Sequence, residues 1–323
     1  MRRLATAILF CSLGLFLTGF QIFQISTGPK GTRNETCGDC HRALFREWRD
    51  SAHARSYTTP LFVQRSGNYS RKECLPCHVP VTSQESPLTT RTWSQDTGVD
   101  CMSCHVLRSV ARGPYDVDSA HRSVQDERFK DERACQQCHA HTVRESREAP
   151  GKLAGQACQT CHMPGVKRHL AVGFYQVLRK RKTSTNHAFD LAALLRKAAE
   201  LSFEYDATAR ELSVTVKNVG TPHMMPTGNH GAPSVRLVVF LESDEKGKAP
   251  IKRTMTFSNK DGTAIGHAGA GVLQIPLESS VPGRYTAHAR LLYLANDDVS
   301  EAAAVVMAQK DHVVQYEPAP RDD

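Results

Sequence analysis

At 323 residues, with 40% hydrophobic and 23% charged side chains, the chain has room for about two domains and the composition of an ordinary soluble protein rather than a disordered or low-complexity one. Its formal charge of +8 raises nucleic acid or anionic lipid as partners. No basic stretch carries the interleaved aromatics of a nucleic-acid platform, so that class is set aside.

The chain opens with Arg2 and Arg3 followed by the apolar run LATAILFCSLGLFLTGFQIF, the form of an export signal. No clean A-x-A site lies between Gly19 and Gly28, and the run approaches the ~20 residues that span a bilayer. Two outcomes stay open for residues 1–28: a cleaved leader or a retained membrane anchor. Cys11, inside the run, is a poor lipidation site because Leu9 and Phe10 are bulky.

From residue 37 one word recurs five times: CGDCH (Cys37, Cys40, His41), CLPCH (Cys74, Cys77, His78), CMSCH (Cys101, Cys104, His105), CQQCH (Cys135, Cys138, His139) and CQTCH (Cys158, Cys161, His162). Two thiols at i and i+3 on one helical turn can add to the two vinyl groups of a haem, and the adjacent His then reaches the iron. Zinc sites also use Cys-x-x-Cys, but they need four converging ligands and give no reason for a His after each second Cys. Disulfides are equally indifferent to the following residue. Five covalently attached haem c groups are therefore expected. Ten of the eleven cysteines are consumed by the words, and none remains for structural disulfides. The haems would add roughly −5 charges when ferric and −10 when ferrous by simple counting, so the basic excess reads largely as internal compensation.

The words are spaced 37, 27, 34 and 23 residues apart, which is too irregular for a solenoid. About 30 residues per haem cannot wrap each porphyrin separately, so close-packed haems with sparse regular structure are expected. Helices are predicted at residues 42–54, where Leu44, Phe45 and Trp48 share a face, and at 188–201, where Leu191, Leu194, Leu195 and Ala198 do. Beyond that the period changes to two. Strands are predicted at 211–219, 234–241, 251–257, 271–277, 284–294 and 305–316. The expected architecture is α+β: a haem-packed helix-and-loop domain over 29–203, then an antiparallel β-sandwich over 204–323.

A proximal His leaves one axial position per iron. Outside the words the N-terminal part holds five further histidines, His53, His121, His141, His169 and His187, and the β-domain adds His223 in NVGTPHMMPTG. His53, on the helix after the first word, and His187, just before a helix, have the settings of ligands. His121 lies in a loop between the third and fourth words. His141 follows His139 too closely to reach the same iron and would serve a neighbour. His169, after Lys167 and Arg168, is either solvent-exposed or an alternate ligand. His223, or the softer Met224 or Met225, could reach across the domain boundary. The basic run at 179–182 reads as a solvated face or a propionate clamp.

CGDCHRALFREWRDSAHA, GVDCMSCH, CQTCHMP and HAF before a Leu-rich helix resemble the multihaem c-type cytochromes related to the tetrahaem electron carrier of nitrifying bacteria. NVGTPHMMPTG resembles the His-x-x-Pro-Thr-Gly loop that follows such haem domains. The likeness covers residues 35–240. It implies electron transfer and supports His53, His187 and His223 as distal ligands. Five words instead of four, and Thr221-Pro222 where Gly is common, mean that pairings do not transfer. The expected role is a periplasmic or otherwise extracytoplasmic carrier between redox partner proteins. The alternative is a multihaem oxidoreductase acting on a small nitrogen or sulfur compound at one five-coordinate haem. No word replaces its His by Lys, which counts against that alternative.

Overall fold

The computed structural model describes residues 34–316 apart from 118, 152, 154, 174–179, 229–230, 246 and 278–282. The leader or anchor at 1–28 and Arg179 of the basic run lie outside the described residues. Among those described, no helix is long and apolar enough to cross a membrane.

The N-terminal part is built from short helices whose length is set by the attachment words. Helix α1 (Asn34–Cys40) carries the first word and α2 (Arg42–Arg49) follows it. The latter stops earlier than the sequence suggests, because Asp50 leaves the helical region and Ser51 N–H turns back to the Trp48 carbonyl. Helix α3 (Pro60–Arg65) begins with Pro at its first turn and Thr59 as its cap, accepting from Phe62 N. Helices α4 (Leu75–His78, with Cys74 at its N-cap), α5 (Cys101–His105) and α7 (Cys158–His162) are single turns whose spacing puts a Cys, a Cys and a His on one surface. Between the last two lies α6 (Ala140–Glu148), directly after the fourth word. Small sheets stitch the loops: β1 (Val106–Leu107), β2 (Val110–Gly113) and β3 (Ser123–Gln125) form one, and β4 (Gly165–Arg168) pairs antiparallel with β5 (Lys182–Thr185).

Apolar clusters here are small: Phe62, Leu75 and Val79 in one, Met102 and Val106 in another. The rigidity of the third word instead comes from a buried polar network. Arg91, 3% exposed, donates to the carbonyls of Trp93, Ser94 and Gly98, to Thr97 Oγ1 and Ser103 Oγ, and to the Asp100 carboxylate. Asp100 in turn caps α5 by accepting from Ser103 N at 2.7 Å.

Helix α8 (Leu191–Ala198), capped by Asp190, leads straight into β6 (Ala199–Asp206). Then come β7 (Glu211–Asn218), β8 (Ser234–Ser243), β9 (Ile251–Ser258), β10 (Ala270–Pro276), β11 (Gly283–Leu294) and β12 (Val305–Tyr316). They make two antiparallel sheets, ordered β10-β7-β6 and β12-β11-β8-β9. The molecule is thus α+β. Strand β7 shows the alternation that dictates this, with Leu212, Val214 and Val216 fully buried between half-exposed Glu211, Ser213 and Thr215 and exposed Lys217. Those side chains share one apolar core with Val235, Leu237, Val239 and Leu241 of β8 and Ala287, Ala289 and Leu291 of β11.

Candidate functional site

Four of the five CxxCH histidines face a second histidine from elsewhere in the chain. Ring centres lie 6.2 Å apart for His41 and His121, 6.1 Å for His53 and His139, 6.1 Å for His105 and His187, and 6.3 Å for His162 and His223. Rings in van der Waals stacking would be closer. Two imidazoles on opposite faces of one metal, with metal–nitrogen bonds of about 2.0 Å and roughly 1.1 Å from nitrogen to ring centre, come to about 6.2 Å. The residues therefore fit a haem iron held between two histidines at each of these four places.

The hydrogen bonds point the same way. Nδ1 donates to a backbone carbonyl in His41 (Leu170, 2.7 Å), His78 (Ser56, 2.7 Å), His105 (Arg112, 2.8 Å), His187 (Thr185, 2.9 Å) and His223 (Met224, 2.9 Å). His121 Nδ1 contacts Ser123 Oγ at 3.0 Å. With Nδ1 committed, the ring presents Nε2 with its lone pair. Burial disfavours the charged form of several histidines here, leaving the neutral imidazole that binds metal. Burial, reinforced by His139, pushes His53 down to about 4, and burial, reinforced by His105, does the same to His187. His105, His121, His139, His162 and His223 are lowered by burial as well.

In three of the pairs the second histidine is delivered by a different device each time. His53 follows α2, and its carbonyl accepts from Val99 N at 2.9 Å. His187 is fixed by Glu47 of α2, whose Oε2 accepts from His187 N at 3.0 Å while Oε1 lies 2.7 Å from Arg168 Nη1. Phe189 stacks edge-on against His53, its ring centre 4.4 Å away. His223 sits on the loop after β7, which is folded around Asn218. That fully buried side chain donates to the carbonyls of His223 (3.1 Å) and Ile265 (3.0 Å) and accepts from Thr221 N and Oγ1. The loop is tied to α6 by Glu145, whose Oε2 accepts from Thr227 Oγ1 at 2.6 Å and Met224 N at 3.2 Å.

His78 has another setting: the Phe62 ring stacks on it at 4.0 Å, 17° from parallel. Phe129 stacks on His105 in the same manner at 4.8 Å. Of the remaining candidates, His141 lies on α6 with Nδ1 3.0 Å from Glu145 Oε1, misaligned for a hydrogen bond, and is not among the rings facing a CxxCH histidine. Nor is His169.

Thiols of different words also meet: Cys37 faces Cys101, Cys77 faces Cys138, and Cys135 faces Cys158. No disulfide joins any of the ten described cysteines. Among the described residues no group of three or more His, Cys, Asp or Glu side chains converges as a zinc site would require. Several buried donors have no protein partner, notably Nε and Nη2 of Arg168 and Nε of Arg112.

Sequence reasoning missed the carboxylates Glu47 and Glu145 and the rings Phe62, Phe129 and Phe189. Their partners are far away in sequence, and the only local signal was an acidic residue or aromatic in an otherwise haem-bearing stretch.

The fold matches a penta-heme cytochrome c552 from Thermochromatium tepidum, with TM-score 0.61 and 18% identity, over 88% of this chain and 99% of that one. A family 76 glycoside hydrolase from Bacteroides thetaiotaomicron aligns over 36% of this chain and 20% of its own, at 13% identity and TM-score 0.21, too low to bear on the fold. No curated protein sequence matches. Residues 36–106, which contain the first three CxxCH words, match the family described as cytochrome c554 and c-prime. Over that segment the chain is similar to multihaem c-type cytochromes, and the same attachment word recurs twice more, to residue 162.

Proposed function

We propose that the chain is an extracytoplasmic electron carrier holding five haem c groups, one per CxxCH word. The axial pairs are His41 with His121, His105 with His187, His139 with His53, and His162 with His223, and His78 ligates the haem of the second word. The observation that carries this is the set of four histidine pairs, each at the separation of two axial ligands. When bound, each haem supplies one-electron chemistry, and a histidine on both faces favours relay over substrate binding.

The meeting thiols and rings order the sites. The first word borders the third, through Cys37 with Cys101 and His41 with His105. The fourth borders the second, through Cys77 with Cys138 and His78 with His139, and the fifth, through Cys135 with Cys158 and His139 with His162. The third and fourth meet through their distal rings, His187 and His53. We read a line 1-3-4 that divides at site 4 toward sites 2 and 5. The β-region, read as a sandwich from about residue 204, lends His223 to site 5 and so fixes one end of that line. The partners are redox proteins able to dock near the ends. Residues 1–28 act either as a cleaved leader or as a membrane anchor.

Intact-mass measurement and protein-film voltammetry on the exported protein test this. The expected result is a mass increment of five haems and reversible uptake of five electrons. Fewer haems would refute the count, and a catalytic current on adding nitrite or hydroxylamine would favour an enzyme.

A further inference from the structure

The reading above leaves Arg168 unexplained. It ends β4, is 9% exposed, and carries a charge that is costly to bury. Only one of its three nitrogens is served: Nη1 lies 2.7 Å from Glu47 Oε1, while Nε and Nη2 are buried with no protein partner. Those two nitrogens form one edge of the guanidinium, with parallel N–H bonds. That is the edge that takes a carboxylate through two hydrogen bonds. A buried charge with its bidentate edge open needs an anion of that shape, because unmade hydrogen bonds there cost about 1–3 kcal/mol each and more at a charged group. The place is defined too. Glu47, which holds Nη1, also holds the backbone N–H of His187, and the His187 ring faces His105 at 6.1 Å.

We infer that Arg168 is the binding site for a propionate of the haem attached at Cys101 and Cys104, gripping its carboxylate through Nε and Nη2. This rests on the proposal that a haem lies between His105 and His187. The predicted clamp at 179–182 is then a different element. The contact has a functional side: a guanidinium at the haem edge favours the reduced state by offsetting the electron's charge.

The test compares the holoprotein with its Arg168→Gln, Arg168→Lys and Glu47→Gln variants by potentiometric titration, ferric EPR and resonance Raman of the propionate bending modes. In Arg168→Gln one haem of five should titrate lower, with about a tenfold higher oxidised-to-reduced ratio at a fixed potential, equivalent to 59 mV for a one-electron couple. One propionate mode should move in the same variant. Arg168→Lys, which keeps the charge and loses the fork, should hold most of the potential while the mode still moves. Glu47→Gln should leave the mode in place. Unchanged propionate modes in Arg168→Gln would overturn the proposal. So would a new high-spin haem shared by Arg168→Gln and Glu47→Gln, since Arg168 would then act only through Glu47 on His187. Should Arg168→Gln fail to load haem, unchanged modes in Arg168→Lys decide against it. Failure of the underlying reading shows in the unmutated protein, as a haem at Cys101 and Cys104 that is not low-spin.

Discussion

An imidazole can meet a metal through Nε2 only when something fixes the ring, and here the fixing atom is usually a carbonyl accepting from Nδ1. His223 is the clearest instance, since its ring is held by Met224 O and its backbone by Asn218. His223→Ala should therefore convert one haem of five from low to high spin, read by ferric EPR, with the β-strands intact by circular dichroism; an unchanged low-spin population would refute the ligand. Gly98 plays a steric part at His53. At φ +59 it is a conformation most side chains avoid, and a Cβ there would lie 2.4 Å from the His53 carbonyl. Gly98→Ala should cost about 1–3 kcal/mol in a denaturant titration and raise the high-spin fraction. If neither changes, the close approach does not matter. These residues differ in how legible they were. The CxxCH words carry their chemistry in five consecutive letters, and His53, His121, His187 and His223 stood out as surplus histidines in fitting contexts. For His141 the same count gave no direction, and α6 turns its ring toward Glu145. Arg168 was invisible because its meaning comes from Glu47, more than a hundred residues earlier.

At the scale of elements, the haem-bearing part replaces an apolar core with polar staples. Arg91 and Asp100 are 3% and 5% exposed at the side chain, and together they fix the loop that starts α5. Arg91→Ala removes the hub of this buried network, so it should lower stability by about 3–5 kcal/mol; chemical denaturation showing under 1 kcal/mol would mean the network is not structural. A second staple has a pH signature. Asp126, held by Arg128 and by its backbone N–H, is lowered from 3.8 to about 2. Its folded form is thus favoured when ionised. That contribution is complete above the unfolded value of 3.8 and fades as pH falls toward 2. The stability gap between the protein and Asp126→Asn should shrink across that window, and a gap constant down to pH 2 would contradict the assignment. The long strands were readable from their period of two, within a residue or two at most ends. Strand β6 was not. Its first residues, Ala199 to Leu201, continue the Ala- and Leu-rich letters of α8, so helical spacing ran on in sequence after the backbone had turned extended. Strands β1 to β5, two to four residues each, are stitched by partners that no local period announces.

On the scale of the whole molecule, two parts with different physics are joined where function needs a fixed distance. The sheets hold themselves together by ordinary apolar burial, whereas the N-terminal part has small clusters and many half-buried rings that fit around haem. Glu145 and Thr227 lock the loop of the first to a helix of the second, so that a histidine from one part faces a CxxCH histidine of the other. The +8 charge fits the same picture, since haem propionates would offset it from within. Everything turns on the four facing pairs. Low-temperature ferric EPR of the intact protein, integrated against its haem content, tests them together. The account predicts that at least four haems of five are low-spin with two histidine ligands. Two or more high-spin haems would contradict it.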